Sequence, residues 1–169
     1  MSGKDKKGSG LIHSWFSDTF IIYTGSDSCQ DFARLESAAR IFFQRLILKG
    51  IPVRGCISHG ELYSQAKQNI FIGPALIEAH KYGEALDWVG FCLAPSVGEK
   101  LSGILSLDER PHYRKVSDPK ILRKLTDPYV YAYAFNNGSV NGKNPFIQKL
   151  KLMRSLAPEA VKYKYDHTL

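Results

Sequence analysis

Residues 11–24 of the sequence read Leu11-Ile12-His13-Ser14-Trp15-Phe16-Ser17-Asp18-Thr19-Phe20-Ile21-Ile22-Tyr23-Thr24. Two runs of β-branched, aliphatic and aromatic residues are interrupted by the polar pair Ser17-Asp18. This pattern predicts a β-hairpin with a polar tip, because the two runs are strand-forming and the pair between them suits a tight turn.

A long amphipathic helix is predicted to follow the hairpin. Apolar residues recur at three- and four-residue intervals from Gln30 to Lys49. Ser28 suits the N-cap position, and Gly50 with Pro52 prevents continuation of the helix. The later chain mixes short strands and short helices, which predicts an α+β fold. The predicted strands are Val53–His59, Ile70–Ile72, Asp87–Ala94 and Tyr129–Phe135. The predicted helices begin at Gly73-Pro74, Ser96, Asp118-Pro119 and Pro145. Glu99 is the expected capping-box partner of Ser96.

The length and composition are those of one globular domain. The chain has 169 residues, of which 44% are hydrophobic. We expect a disordered Lys/Gly/Ser-rich lead-in over residues 1–10 and a single domain over residues 11–169, with a C-terminal extension from about residue 101. No apolar run approaches the roughly 18 residues that a membrane span needs, and no secretory signal follows Met1. The expectation is therefore a cytoplasmic protein without a membrane partner.

Cysteine usage and charge narrow the function classes. Cys29, Cys56 and Cys92 are far apart and form no Cys-x-x-Cys motif, so each is expected to be a small buried hydrophobic residue in a reducing compartment. The net charge of +7 is dispersed along the chain. A solvated basic face and a phosphate-bearing ligand both remain open, whereas the absence of an Arg-rich arm disfavours nucleic acid.

Three stretches of the sequence resemble a known family. They are Phe16–Ile22 (FSDTFII), Pro52–Glu61 (PVRGCISHGE) and Ile70–Ala79 (IFIGPALIEA). In this order they are similar to the catalytic domains of the class III nucleotidyl (adenylyl and guanylyl) cyclases. Gly73-Pro74-Ala75, Trp88-Val89-Gly90 and the terminal Lys164–Thr168 are similar to the bacterial pyrimidine (uridylate and cytidylate) cyclases of anti-phage signalling. The resemblance implies a ferredoxin-like nucleotidyl cyclase fold and covers residues 11–100 best.

The resemblance also implies a chemistry. In class III cyclases two Asp carboxylates hold two Mg²⁺ or Mn²⁺ ions on a nucleoside triphosphate, whose 3′-hydroxyl attacks the α-phosphate as pyrophosphate leaves. The active site forms across a head-to-tail homodimer. Asp18 matches the second metal ligand. The family's first strand, which carries the first ligand, would precede Leu11 and is missing from the sequence. The resemblance therefore implies an incomplete two-ion site.

The remaining family positions are substituted in this sequence. The positions that read a purine base fall on Ser14 and Ile70, and Trp15 is expected near the base. These residues argue against a purine substrate and favour a pyrimidine triphosphate. The ribose-orienting Asn falls on Ile77 and the transition-state Arg on Lys81, which can stabilise phosphate charge but lacks the bidentate fork. Two functions stay open: a cyclase whose first strand comes from elsewhere, and a catalytically degenerate module that dimerises and binds a nucleotide or a protein partner.

Structural explanations of the same residues are also open. Asp18 suits a tight turn, Lys81 suits a helix surface, and His59 suits a half-buried place in the sheet rather than a zinc site. The aromatic residues of the last predicted strand suit core packing, with a base-stacking platform as the alternative. These residues are Tyr129, Tyr131, Tyr133 and Phe135.

Overall fold

The computed structural model describes residues 10–102, 112–116, 118, 130–134 and 143–169. The strands of this part are β1 (Leu11–Phe16), β2 (Thr19–Thr24), β3 (Arg54–Ile57), β4 (Tyr63–Gln65), β5 (Ile70–Ile72), β6 (Gly90–Leu93), β7 (Tyr113–Lys115) and β8 (Tyr131–Tyr133). The α-helices are α1 (Cys29–Leu48), α2 (Pro74–Ala85), α3 (Pro95–Ser102), α4 (Pro145–Leu156) and α5 (Glu159–Thr168). A 3₁₀ turn, Ala66–Gln68, joins β4 to β5. Within the described ranges, no helix combines the length and apolarity that crossing a membrane requires.

The strands in the described part of the chain form three separate sheets. The largest has the order β3-β6-β8-β7, in which β3 and β6 are parallel and the other neighbours are antiparallel. The hairpins β1–β2 and β4–β5 each form a two-stranded antiparallel sheet. This mixture of small, mainly antiparallel sheets with helices confirms the predicted α+β class. The finer expectation, a ferredoxin-like cyclase fold, stays a prediction.

The ends of α1 follow directly from its sequence. Ser28 Oγ accepts a hydrogen bond from the Asp31 amide at 3.2 Å, which caps the first turn. At the other end the Gly50 amide bonds to the Ile47 carbonyl at 2.8 Å and the Ile51 amide to the Leu46 carbonyl at 2.9 Å. Gly50 adopts φ 79°, the left-handed conformation that this helix ending requires. The predicted helix boundaries are thus correct to one residue.

The main core lies between α1, one face of the large sheet and α4. The Phe91 ring on β6 lies 4.8 Å from the ring of Phe43 on α1 and 4.8 Å from that of Tyr133 on β8, measured between centroids. Ile47 of α1 and Leu150 of α4 complete this cluster and are fully buried. The burial of Tyr131 and Tyr133 in this core fits the core-packing explanation of the aromatic strand.

A second core covers the opposite face of the sheet. Cys92 and Ala132 lie on that face, because successive strand residues point to opposite sides. Trp88 packs against them, together with Tyr82 of α2 and Leu86, the residue that follows α2. The strand β6 is therefore buried on both faces, which explains its unbroken apolar sequence.

Several local predictions need correction. Ser96 lies inside α3 and its hydroxyl and amide both bond to the carboxylate of Glu78 on α2, instead of pairing with Glu99. Cys29 is exposed as the first residue of α1, whereas Cys92 is buried and Cys56 half-buried. The strand predicted at Val53–His59 is shorter, at Arg54–Ile57.

The C-terminal helix α5 was not indicated by any sequence pattern. Its Thr168 Oγ1 accepts a hydrogen bond from the Val89 amide at 2.9 Å, which joins the end of the chain to the residues before β6. The predicted strand over Asp87–Ala94 is correspondingly shorter, at Gly90–Leu93. The helix predicted after Asp118-Pro119 and the outer residues of the strand predicted at Tyr129–Phe135 lie outside the described residues.

Ile47 and Ile41 give a matched test of the core, because they are the same residue type on the same helix. Ile47→Ala is expected to lower the free energy of unfolding by about 2–5 kcal/mol, since it leaves a cavity at a fully buried site. Ile41→Ala, at a side chain that is 55% exposed, is expected to change it by less than about 1 kcal/mol. Urea denaturation measures both; equal losses would show that α1 does not pack through Ile47.

Burial of Tyr113 makes stability depend on alkaline pH. Its hydroxyl donates a 2.9 Å hydrogen bond to the Glu36 carboxylate, which is buried and also pairs with Arg40. Burial and the negative charge of Glu36 raise the pKa of Tyr113 far above its ordinary value. Burial raises the pKa of Tyr133 as well, although the hydrogen bond from Gln44 opposes that rise.

The sign of this pH dependence follows from the raised pKa. Above about pH 10 an unfolded tyrosine loses its proton while Tyr113 in the folded protein keeps it, so the free energy of unfolding falls with pH. The expected slope from one such group is about 1.4 kcal/mol per pH unit. Tyr113→Phe should make the slope between pH 10 and 11 shallower, whereas Tyr63→Phe, at an exposed tyrosine, should not. Identical slopes in both variants would contradict the assignment.

Candidate functional site

The tip of the first hairpin presents a carboxylate to solvent. The pairing of Phe16 with Thr19 leaves Ser17-Asp18 as a two-residue turn, in which Ser17 takes the left-handed φ of 55°. Asp18 is exposed, and it has no hydrogen bond or ion pair within the described part of the chain. The side chain is thus free to contact a cation or a ligand.

One face of the same hairpin contacts the β4–β5 hairpin. Ser14 Oγ donates a 3.0 Å hydrogen bond to Asn69 Oδ1, and Asn69 immediately precedes Ile70. The structure therefore brings the two positions predicted to read a base, Ser14 and Ile70, into one neighbourhood. Asn69 itself was not predicted; its left-handed φ of 52° after a helical turn is a conformation in which Asn is enriched.

Trp15 does not share that neighbourhood. Successive side chains of a strand point to opposite faces, so Trp15 lies on the face away from Ser14. Its ring stacks beside His13, with 6.4 Å between centroids and 8° between planes, and is 63% exposed. Ser14 and Trp15, both expected beside a base, therefore lie on opposite faces of β1.

Ile77 and Lys81 share the exposed face of α2, one helical turn apart. Lys81 Nζ lies 5.2 Å from the centroid of the Tyr82 ring, and Ile77 is 69% exposed. The start of α2 is fixed by Gly73, because a Cβ there would overlap the carbonyl oxygen of Glu61. Both side chains are accessible, but the described residues contain no hydrogen bond or ion pair that links Lys81 to Asp18.

A two-ion site does not fit the residues that the structure describes. No group of three or more His, Cys, Asp or Glu side chains in the described ranges could hold a metal ion. Asp18 supplies one carboxylate, whereas Mg²⁺ and Mn²⁺ sites of this kind are built from several oxygen ligands.

A second polar cluster lies at the mouth of a cavity. Lys100 Nζ lies 2.9 Å from His59 Nε2 and forms an ion pair with Asp27. The hydrogen bond and the charge of Lys100 lower the pKa of Asp27. His59 is half-buried, as the sequence predicts, and its side chain lines this cavity. No sequence pattern indicated the cluster, because its members come from three segments far apart in the chain.

The cavity also marks where two sheets diverge. Its volume is about 60 Å³, and the C-terminal ends of β2 and β3 both contribute to it, through Thr24 and Ile57. Among the described strands β2 pairs with β1 alone and β3 with β6 alone. Each of these two strands therefore has one unpaired edge at this end of the molecule. The apolar lining residues are Phe32, Leu35, Ile57 and Val97.

Comparison of the chain with protein-family models, with curated proteins and with solved structures gave no match. The fold and the site define an α+β protein with an exposed carboxylate at a hairpin tip and a hydroxyl–amide pair, Ser14 and Asn69, between its two hairpins.

Proposed function

We propose that the chain is a nucleotidyl cyclase-like domain that binds a nucleoside triphosphate of the pyrimidine class. Its lineage would convert that substrate to a cyclic nucleotide and pyrophosphate. The observation that carries this proposal is the solvent-facing carboxylate of Asp18 on a hairpin that continues through β2 and α1 into β3. This is the order of elements, and the place of the carboxylate, that the class III cyclase resemblance implies.

The groups around Ser14 suit recognition of a nucleobase by uncharged side chains. Its hydroxyl and the Asn69 amide form a hydrogen-bonded pair, and the two Nδ2 protons of Asn69 have no partner among the described residues. An amide offers both donors and acceptors and suits the carbonyl-rich edge of a pyrimidine. The Lys and Asp that select a purine in the family are replaced by Ser14 and Ile70, which is consistent with this substrate class.

Turnover would require a second carboxylate beside Asp18. An extended segment would bind by backbone pairing with the unpaired edge of β2 or of β3. Such a segment could carry the missing acidic residue, whether it belongs to a longer form of this polypeptide or to another chain. With that segment, Mg²⁺ or Mn²⁺ on the triphosphate would gain the ligands that Asp18 alone does not supply.

A second candidate function is a catalytically degenerate module. It is favoured by the single carboxylate and by Ile77 and Lys81, which replace the ribose-orienting Asn and the transition-state Arg of the resemblance. Such a module would bind a nucleotide or a protein without turnover. Cyclic product formation separates this function from the cyclase.

A homodimer is part of either function. The outer face of the β4–β5 hairpin carries Tyr63 and Ile72 as a directly paired couple that are 61% and 64% exposed, beside Ile70. Exposed apolar groups of this size favour burial in an interface. We call Tyr63, Ile70 and Ile72 the hairpin patch and place the second copy there.

Nucleotide binding tests the proposal directly. Each of the four ribonucleoside triphosphates is titrated into the chain with Mn²⁺, and the products are resolved by chromatography. We expect UTP or CTP to bind more tightly than ATP and GTP. Asp18→Ala should weaken that binding about tenfold, because the carboxylate would contact the Mn²⁺ ion on the triphosphate and not its negatively charged oxygens. Asp166→Ala, at an exposed aspartate on α5 away from the hairpin, is the matched control.

The outcomes of this titration are distinct. A cyclic product that Asp18→Ala abolishes would establish an active cyclase. Pyrimidine-selective binding without product would leave the degenerate module. Equal binding of all four nucleotides would overturn the pyrimidine assignment, and no binding by folded protein would overturn the nucleotide-binding proposal itself.

The hairpin patch predicts the oligomeric state. Ile72→Glu should shift a dimer to monomer, because it places a charge inside the apolar interface. Ile41→Glu, at a similarly exposed isoleucine on α1, should leave the dimer intact. Sedimentation velocity at several concentrations measures both variants. A parent chain that is monomeric throughout, or a dimer that only Ile41→Glu disrupts, would contradict this interface.

A further inference from the structure

A concave, apolar groove lies beside the C-terminal end of α1 and shares no residue with the proposed nucleotide site. It lies where α4 turns into α5 and faces the loop that ends α1. Its volume is about 490 Å³, within the roughly 300–1,000 Å³ typical of small-molecule sites. The lining residues are Gly50, Pro52, Lys149, Leu152, Met153, Leu156, Ala157, Pro158, Val161 and Tyr165.

The walls of this groove are aliphatic and partly exposed. Leu152 and Leu156 lie one turn apart on α4 and are 49% and 78% exposed, while Met153 and Tyr165 are buried. Apolar side chains left in water at a concave site gain free energy when an apolar ligand covers them. The walls are mainly flexible or branched aliphatic groups, so an alkyl chain suits them better than a flat ring system.

Among the described residues that line the groove, Lys149 is the one that carries a charge. It is half-buried, and it makes no hydrogen bond or ion pair with any residue that the structure describes. The carbonyl groups of Arg45, Leu46 and Ile47 at the end of α1 accept bonds from the amides of residues 49–51, and Lys149 donates to none of them. The ammonium group lies beside Gly50, about 3.5 Å from where a Cβ would stand.

Charge around the groove selects the sign of the ligand. The helix α4 carries Lys149, Lys151 and Arg154 and no acidic residue. Arg154 pairs with Asp166, and Lys162 on α5 pairs with Glu159, so these cations are already balanced. Lys149 thus leaves an uncompensated positive charge beside an aliphatic surface.

We propose that this groove binds a free, monomeric amphipathic anion, a carboxylate on a flexible alkyl chain such as a medium-chain fatty acid. The carboxylate lies against the Lys149 ammonium group in a charge-assisted hydrogen bond. The alkyl chain of the ligand lies along Leu152 and Leu156 and covers Met153. The inference does not depend on the nucleotide proposal, because none of its residues belongs to that site.

The two methionines of the chain, Met1 and Met153, provide a built-in probe. Protein with ¹³C-labelled methionine methyl groups is titrated with decanoate below its micelle concentration, and both methyl signals are followed by NMR. The Met153 signal should move and saturate, whereas the Met1 signal should not. Lys149→Gln should weaken binding about tenfold, and Lys151→Gln, on the same helix but outside the groove, should stay within about twofold of the parent.

Each remaining outcome bears on the proposal. Severalfold weaker decanoate binding by Leu156→Gln would support the position of the alkyl chain. Unchanged thermal unfolding midpoints would show that the variants fold. An unmoved Met153 signal, or equal affinity in Lys149→Gln and the parent, would overturn the site. Movement of Met153 only with vesicles of anionic phospholipid, and not with monomeric decanoate, would overturn it in favour of a membrane surface.

Discussion

Packing of α1 against the large sheet on one side and α4 on the other is the contact on which the rest of the structure depends. Phe43 and Ile47 place one helix face against Phe91 and Leu150, so strands from the middle of the chain and a helix near its end share one core. Burial of this apolar face provides the main driving force for folding. Because α1 directly follows the first hairpin, its position also determines where Asp18 lies relative to the sheet.

Separation of the sheets is the second constraint. The hairpin β1–β2 packs on α1 through Phe20 and Phe42, whose ring centroids lie 5.1 Å apart, but it does not pair with the large sheet. Two strand edges therefore end beside one small cavity. Backbone groups at such edges favour pairing with another strand. This geometry links the proposed function to a segment that would complete the sheet.

The sequence predicted local elements best where one physical cause acts alone. The ends of α1 were correct because capping by Ser28 and termination by Gly50 are properties of adjacent residues. The Ser17-Asp18 turn was correct for the same reason. Ser96 was assigned a partner three residues on, yet Glu78 approaches it from α2. Only tertiary packing places that carboxylate there, so no local pattern could indicate it.

The amino-acid sequence by itself determined the α+β class, the hairpin with its carboxylate tip, and the long amphipathic helix, since hydrophobic period and turn chemistry are local. Tertiary structure alone decided that Ser14 meets Asn69, that Trp15 points away from it, and that Asp27, His59 and Lys100 share one cavity mouth. Those contacts join residues from 32 to 73 positions apart or depend on which strand face is covered. Their formation depends on how helices and sheets pack, and that packing minimises exposed apolar surface over the whole chain.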